Sequence, residues 1–312
     1  MLRLTFLGTA SSRPTVSRNV SSLALKREGR LFLLDCGEGT QRQMMRYGVG
    51  FSLDDILITH LHSDHYLGLA GLLRTMSLQG RNERLRIWTP HGTGETIRAL
   101  RDMGGDRLAF DATVHELQAG DAVEGEGFRL EAFATEHTRR SLGYALIEDV
   151  RPGRFDVAAA REVGVPEGPL FGRLHRGESV DLEDGRRVHP AELVGPPRSG
   201  RKVVYTGDTR PSAETVRISR DADVLVHEAT FTEEERGRAQ ETGHSTAAAA
   251  ARVAREAGVR RLILTHISAR YAERPAQLLE EARTVFPRAE LARDGWSTDV
   301  SFDDAEPGDP DP

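Results

Sequence analysis

The sequence lacks the cysteines that a disulfide framework needs. Cys36 is the only cysteine among 312 residues, so the chain must be held by its hydrophobic core, which a fold of this size provides without covalent cross-links. No stretch approaches the ~18 apolar residues that cross a bilayer, and the opening MLRLTFLGTA does not combine a basic stretch with a long apolar run. We therefore expect a cytoplasmic protein with no membrane segment.

The sequence also has no excess of positive charge. Its formal net charge is −6, whereas a protein that coats nucleic acid non-specifically normally carries a strong basic excess. This argues against non-specific coating, but local arginines and metal ions can still hold a phosphodiester.

What is present is an alternation of short apolar runs, which predict strands, and segments of helical periodicity. Mixed strands and helices in two similar halves predict an α/β fold in which helices cover a pair of stacked sheets, spanning residues 1–302. The predicted strands are residues 2–7, 21–25, 31–34, 56–58, 86–88, 128–134, 143–147, 203–205, 224–227 and 262–264. The predicted helices are residues 68–78, 94–103, an alanine-rich segment that Ser245 or Thr246 caps and Gly258 ends, and 277–286.

Two segments depart from this pattern. In residues 149–199, Gly and Pro make up 13 of 51 positions, and so long an irregular stretch indicates a functional insert. The insert has eight arginines and nine acidic residues, although Arg173, His175 and Arg176 form a locally basic cluster. A solvated, partly ordered loop is the alternative interpretation. The acidic, proline-rich residues 303–312 predict a disordered tail.

The strongest chemical signal is the motif HLHSDH at residues 60–65. Zinc accepts imidazole nitrogen and carboxylate oxygen as ligands. Residues two apart on an extended segment point the same way, so His60 and His62 can share one ion, while Asp64 and His65 can reach a second. Surface histidines, with Asp64 capping the next helix, are the alternative, but four such residues at the end of a buried strand favour a metal site.

Six residues cannot close two metal sites, so further ligands must come from other strand ends, where the backbone is rigid. His137, Asp208 and His266 each follow a predicted strand. Each alone could be an ordinary loop residue, but together they supply what the first motif lacks. Asp208, with two carboxylate oxygens, is the natural bridge between two ions.

A second pair predicts proton transfer. Glu228 ends a predicted strand and His244 precedes a predicted helix. A hydrogen bond between them would raise the pKa of His244 and orient it as a proton donor. Simple packing of His244 at the helix start is the alternative.

Several motifs resemble those of one enzyme family. The candidate ligands match the metallo-β-lactamase superfamily in type and order. FLGT at residues 6–9, RNVSS at 18–22, DCGEGTQ at 35–41, GPL at 168–170, GPPRSGRKVVYTGDTR at 195–210, HEATF at 227–231 and GHST at 243–246 resemble ribonuclease Z. The similarity covers nearly the whole chain, and the HEATF and GHST pair with the long insert is its most specific part.

The resemblance implies a metallo-β-lactamase αββα sandwich and an endonuclease that trims the 3′ end of precursor tRNA. It implies two zinc ions per subunit, one held by His60, His62, His137 and Asp208, the other by Asp64, His65, Asp208 and His266. It implies Asp64 as general base and Glu228 with His244 as the proton-donor pair. It also implies a homodimer in which the insert is an exosite arm that grips tRNA.

The residues also allow other interpretations. Arg270 could contact a flanking phosphate or form a surface ion pair. A thioesterase or small-molecule phosphodiesterase would use the same metal ligands, and a non-catalytic RNA-binding protein could use the same fold. The complete ligand set favours an enzyme, and the insert with the Glu228 and His244 pair favours the nuclease.

Overall fold

The computed structural model describes residues 1–104 and 107–302. Its contacts divide the chain into two compact units, one of Met1–Ile147 with the chain from Arg201 onward, the other of Glu148–Gly200. The described strands are β1 (Leu2–Gly8), β2 (Ser22–Arg27), β3 (Arg30–Leu34), β4 (Asp55–Leu57), β5 (Leu85–Pro90), β6 (Ala112–Leu117), β7 (Ala122–Gly125), β8 (Phe128–Ala134), β9 (Leu142–Glu148), β10 (Val180–Asp181), β11 (Arg187–Val188), β12 (Lys202–Tyr205), β13 (Val224–Glu228), β14 (Arg261–Thr265), β15 (Ala289–Leu291) and β16 (Ser297–Asp299).

The helices are short, and no described helix has the length and apolar character to cross a membrane. They are α1 (Thr40–Arg46), α2 (Ser63–Tyr66), α3 (Leu69–Leu78), α4 (Gly94–Asp102), α5 (Val157–Glu162), α6 (Pro169–His175), α7 (Ala213–Ser219), α8 (Arg236–Thr242), α9 (Ala247–Ala257) and α10 (Ala276–Arg283). Single 3-10 turns lie at Pro190–Glu192, Glu233–Glu235 and Ala269–Tyr271.

The first unit contains two seven-stranded sheets. One has the strand order β16-β1-β2-β3-β4-β5-β6 and the other the order β15-β14-β13-β12-β9-β8-β7. Each mixes antiparallel and parallel pairs: β3 to β6 run parallel in the first sheet, and β12 to β15 run parallel in the second. The carboxyl ends of each parallel set therefore lie at one edge of their sheet, which is where ligand-binding residues of open α/β sheets collect.

Three buried clusters define the layers. Side chains of both sheets, among them Phe6, Phe32, Tyr144 and Val226, form the cluster between the sheets. A second cluster packs α7, α9 and α10 on the outer face of one sheet. A third packs α1, α3 and α4 on the outer face of the other. The predicted sandwich of helices over two stacked sheets is confirmed.

The alanine-rich helix α9 shows why the sequence chooses small residues. Eight of its residues are buried, because α9 packs against β13, β14 and two other helices. Thr246 caps it, its side chain accepting a hydrogen bond from the amide of Ala249, and Gly258 ends it with φ of 67°. Of the two predicted caps, only Thr246 has this role, since the Ser245 hydroxyl donates to the carbonyl of Thr209 instead.

Most predicted elements are present, with bounds that differ by one to three residues, and the predicted hairpin of β2 and β3 is confirmed. Elements that the sequence patterns missed are α1, α2, β6, β7, α7, α8, β15 and β16, together with α5, α6, β10 and β11 in the insert. These elements are short, and most have only a weak pattern of polar and apolar residues. Their conformation therefore depends on the neighbouring elements rather than on local sequence.

The unit Glu148–Gly200 has secondary structure of its own. It holds α5, α6 and the antiparallel pair β10 and β11, and Asp156 caps α5 by accepting from the amide of Ala159. A small hydrophobic cluster joins these pieces and comprises Ala160, Val165, Leu174, Val180, Val188 and Leu193. The tail predicted at residues 303–312 lies outside the described residues.

Candidate metal centre

The candidate ligands occupy strand ends in both sheets. His60 follows β4, and His62, Asp64 and His65 form the turn into α2 and its first residues. His137 follows β8, Asp208 follows β12 and His266 follows β14. Two other candidate residues lie at the same edge: Glu228 ends β13, and His244 lies between α8 and α9.

The structure brings all seven candidate ligands together. His60, His62, His137 and Asp208 form one group with ligand atoms within 4.8 Å of one another, Asp64, His65 and His266 form a second, and Asp208, His244 and His266 form a third. Asp208 is 2 % exposed and joins the groups. Its Oδ2 lies 3.6 Å from His60 Nε2, 3.3 Å from His65 Nε2 and 3.7 Å from His137 Nε2, while its Oδ1 lies 3.2 Å from His266 Nε2.

Asp35 fixes the orientation of two of these imidazoles. The His65 Nδ1 group donates to Asp35 Oδ2 over 2.7 Å. The Thr59 hydroxyl donates its only proton to the same oxygen, 3.0 Å away. In its 3.0 Å contact with His60 Nδ1, the hydroxyl oxygen must therefore accept and the ring must donate. In both rings Nδ1 therefore carries a proton, so the neutral form of each ring presents the lone pair of Nε2 to the centre of the cluster.

A glycine fixes His137 in the same way. The Nδ1 group of His137 donates to the carbonyl of Gly243 over 2.8 Å, and a carbonyl can only accept. Gly243 has φ of 75°, and a Cβ atom there would lie 2.9 Å from His137 Nδ1, so glycine is required for this close approach. The Nε2 of His137 therefore accepts in its 3.0 Å contact with His62 Nδ1.

These constraints leave lone pairs and carboxylate oxygens pointing at one another. The Nε2 atoms of His60 and His65 and the Oδ1 atom of Asp208 are buried with no hydrogen-bond partner. Buried polar atoms of this kind need a partner, and a cation is a partner that imidazole lone pairs and carboxylate oxygens can share. Imidazole and carboxylate are the ligands of divalent transition metals, so the residues fit a divalent metal centre.

The pKa values of the cluster reflect the same crowding. Burial and the neighbouring His65 hold the pKa of His60 well below its ordinary value. Burial opposes ionisation of Asp208, but His266 and His65 outweigh it and hold the pKa of that carboxyl well below its ordinary range. Burial would lower the pKa of His65 too, but the charges of Asp208 and Asp35 outweigh it and raise that pKa well above its ordinary value. Asp208 is therefore anionic and His60 neutral, as metal ligands need to be, whereas His65 must release a proton when a metal binds.

Asp64 is held by a backbone amide. The amide of Ser12 donates to Asp64 Oδ2 over 2.7 Å, and that oxygen lies 3.3 Å from His266 Nε2. Burial would raise the pKa of Asp64, but the contact with His266 and the charge of His65 lower it. Asp64 is therefore an oriented carboxylate at the edge of the cluster.

The buried Glu228 and the partly exposed His244 form a second pair beside the cluster. His244 Nδ1 lies 2.8 Å from Glu228 Oε1 and 4.0 Å from Asp208 Oδ2. Burial alone would lower the pKa of His244, but the charge and hydrogen bond of Glu228 raise it to about 9. His244 is thus a protonated imidazole at neutral pH, next to the centre and partly open to solvent.

The three arginines predicted to contact substrate are all ion-paired. Arg270 lies in the 3-10 turn after β14, with its Nη1 3.2 Å from Glu235 Oε1. In the unit Glu148–Gly200, Arg173 and Arg176 lie on and just after α6 and share Glu178, at 3.0 Å and 3.6 Å. The structure gives each arginine a protein partner at an exposed position, and the side chains of Arg270, Arg173 and Arg176 are 46 %, 46 % and 68 % exposed.

Sequence reasoning missed the supporting residues Asp35, Thr59 and Tyr205, as well as the Ser12 amide. Asp35 was part of a recognised motif, and it follows β3, the parallel neighbour of β4, so its position beside His60 could have been inferred. Ser12 could not, because a backbone donor in a loop leaves no trace in residue type.

The layered sandwich and its histidine and aspartate centre define a hydrolase of the metallo-β-lactamase fold. Residues 186–267 match the family model described as Beta-lactamase superfamily domain, and residues 2–151 match the model described as Anti-Pycsar protein Apyc1.

Comparison with similar proteins identifies the family within this fold. The chain is 56% identical over 303 residues to a protein named Ribonuclease Z from Gemmatimonas aurantiaca, covering 96% of each chain. It is 52% identical to a protein of the same name from Haloferax volcanii, covering 98% of each. Among solved structures, the short form of human tRNase Z superposes with a TM-score of 0.69 at 28% identity, over 96% of this chain and 100% of that one. This chain belongs to the ribonuclease Z family.

The Asp35 network gives a prediction about metal affinity. In Asp35→Asn, the amide nitrogen faces a donor in either rotation: the Thr59 amide, which donates to Oδ1 over 2.8 Å in the wild type, or His65 Nδ1 and the hydroxyls of Thr59 and Tyr205, which contact Oδ2. His65 also loses the carboxylate that raises its basicity. We expect metal affinity to fall about 10- to 100-fold, measured by competition with a chromogenic chelator. Asp111→Asn, in an exposed ion pair with Arg84, is the matched control, and unchanged affinity in Asp35→Asn would refute the role.

Proposed function

We propose that this chain is a metal-dependent endoribonuclease that removes the 3′ trailer from precursor tRNA and leaves a 3′-hydroxyl on the tRNA. The substrate class follows from membership of the ribonuclease Z family. The observation that carries the chemistry is a buried proton-donor pair, Glu228 and His244, whose imidazole lies 4.0 Å from the carboxylate of Asp208.

Two zinc ions per subunit complete this proposal. One would be held by His60, His62, His137 and Asp208, and the other by Asp64, His65, Asp208 and His266, so that Asp208 contributes to both. The first set is one of the convergent groups, and Asp64, His65 and His266 of the second set form another. Asp208 lies 3.3 Å from His65 Nε2 and 3.2 Å from His266 Nε2 of that second group. When bound, such ions act as Lewis acids and lower the pKa of water from 15.7 to about 7, which makes hydroxide available at neutral pH.

Asp64 serves as general base in this mechanism. Its carboxylate is held by the Ser12 amide and stays ionised, so it can orient the attacking water and take its proton. Attack on phosphorus breaks the bond to the 3′ oxygen of the tRNA, and the trailer leaves with the phosphate. His244 is the acid: it is protonated at neutral pH and gives its proton to the departing 3′ oxygen, while Glu228 stabilises the imidazolium.

The same proposal assigns the remaining parts of the chain. The unit Glu148–Gly200 serves as an exosite arm that binds tRNA away from the cleavage site, with Arg173 and Arg176 contacting phosphates. Arg270, a few residues past His266, contacts a phosphate next to the scissile bond. The enzyme acts as a cytoplasmic homodimer, which sedimentation of the purified protein can test.

The direct test uses the purified protein and a 3′-extended tRNA, with mapping of both product ends. We expect a 3′-hydroxyl on the tRNA and no turnover of a thioester. Asp64→Ala should abolish cleavage of both precursor tRNA and a small phosphodiester while zinc content falls modestly, and Asp111→Ala should behave as the wild type. Near-normal turnover by Asp64→Ala would remove its role as base.

His244→Ala tests the proton donor. General acid catalysis contributes about 10²- to 10⁴-fold, so kcat should fall by that range with zinc content retained. The donor form exists below the pKa of His244, so the decline of wild-type activity at alkaline pH should disappear in the variant. Because His244 also belongs to a potential ligand group, loss of zinc would instead make it a ligand. His115→Ala, on β6, controls for loss of a histidine.

Excision of the arm tests its role in substrate binding. The amide of Gly195 donates to the carbonyl of Arg154 over 2.9 Å, so residues 155–194 can be replaced by a two-residue glycine turn. We expect tRNA processing to be lost and small-phosphodiester hydrolysis to be kept. Equal loss on both substrates would make the unit structural. The narrower double variant Arg173→Ala, Arg176→Ala should raise KM for tRNA without changing kcat.

A further inference from the structure

Thr230 lies between the proton-donor pair and the metal centre. Its side chain is buried, with 2 % exposure. Its hydroxyl oxygen lies 2.6 Å from Glu228 Oε2, 2.9 Å from His266 Nδ1 and 3.5 Å from His244 Nδ1. One hydroxyl therefore contacts a carboxylate of the proton-donor pair and an imidazole of the ligand cluster.

Counting protons fixes the direction of these bonds. The hydroxyl has one proton and donates it to Glu228 Oε2, because that carboxylate can only accept. The 2.9 Å contact with His266 must then run the other way, with the ring Nδ1 group donating to the hydroxyl oxygen. A neutral His266 consequently carries its lone pair on Nε2, which faces Asp208 Oδ1 at 3.2 Å and Asp64 Oδ2 at 3.3 Å.

The bond to Glu228 has a second consequence. Glu228 Oε1 accepts from the amide of Thr209 and faces His244 Nδ1, whereas Oε2 accepts from the hydroxyl and, at 3.2 Å, from the amide of Thr230. Without the hydroxyl, Oε2 would keep only the longer of these bonds. The rotation of the carboxylate, and with it the position of His244, then depends on Thr230.

Comparison with the other imidazoles sets Thr230 apart. His60 donates to Thr59, His65 to Asp35 and His137 to the carbonyl of Gly243. None of those three acceptors contacts Glu228 through a hydrogen bond of the described residues. Only the acceptor of His266 does so.

We propose that Thr230 is a positioning residue that couples the two halves of the catalytic machinery: its hydroxyl sets the tautomer of His266 for metal binding and at the same time holds Glu228 in the rotation that orients His244. The inference rests on the proposed function for its second half, whereas its first half concerns metal binding alone. Thr230 touches neither substrate nor metal in this role and acts through its two neighbours.

The experiment compares Thr230→Val, which keeps the shape and removes the hydroxyl, with Thr230→Ser, which keeps the hydroxyl. Zinc affinity is measured by chelator competition, and the His266 tautomer by nitrogen-15 NMR of the zinc-loaded protein. Steady-state kinetics use 3′-extended tRNA and a small phosphodiester. Thr232→Val, whose hydroxyl contacts Tyr271 instead, is the matched control for burying a valine in this segment.

For Thr230→Val we expect zinc affinity about 10- to 100-fold weaker and a lower kcat with unchanged KM, even when zinc saturates the protein. Thr230→Ser should restore both within a few fold. The loss of kcat should shrink in a His244→Ala background, because coupled residues are not additive. Wild-type zinc affinity and His266 tautomer in Thr230→Val, or failure of Thr230→Ser to rescue, would overturn the inference.

The design separates this inference from the function itself. If the wild-type protein failed to cleave tRNA, the proposed function would fall, yet weaker zinc binding and a changed tautomer in Thr230→Val would still support the coupling of Thr230 to His266. If cleavage were normal and only zinc binding changed, the link to Glu228 would be refuted.

Discussion

The centre is organised by lone pairs that converge on the carboxylate of Asp208. Three imidazole Nε2 atoms surround its Oδ2 within 3.7 Å, and in each of those rings the proton is held on Nδ1 by a protein oxygen. With neutral rings such an arrangement is repulsive, because buried acceptors face acceptors. It becomes favourable when a cation lies among the acceptors, so this placement of side chains favours metal binding.

The hydrogen-bond network that orients these side chains includes residues of both sheets. Asp35, at the end of β3, accepts from His65 and Thr59 in its own sheet and from the Tyr205 hydroxyl of the other, 2.8 Å away. Two residues of the centre, Asp35 with φ of 59° and His266 with φ of 57°, adopt the left-handed conformation that side chains rarely take. Gly207 is needed beside Asp208, since a Cβ there would lie within 3.0 Å of Thr59.

The parallel strands of the second sheet explain why candidate metal ligands and the Glu228–His244 pair lie at one edge. β12, β13 and β14 are neighbours that run in the same direction, so Asp208, Glu228 and His266 emerge side by side. The hydrogen bonds of Thr209 and Thr230 to Glu228 tie the proton-donor pair to the residues that flank Asp208 and face His266. Changes in this short region are therefore expected to affect the candidate metal ligands and the Glu228–His244 pair together.

Much of the site was readable in residue types and order. The pattern HLHSDH, followed by a histidine or aspartate at three later strand ends, named the seven side chains that the structure gathers, and local periodicity placed most of the elements that carry them. Ligand chemistry is a property of side-chain type, and buried strands end abruptly in sequence, so both leave a local signal. What only the tertiary structure decided is which nitrogen of each imidazole faces the centre, because that depends on acceptors distant in sequence: Asp35 for His65, Gly243 for His137 and Thr230 for His266. The tertiary structure also decided that residues 148–200 form a separate unit with its own small core. The apolar residues of that core are scattered along the sequence and show no local periodicity from which their contacts could be predicted.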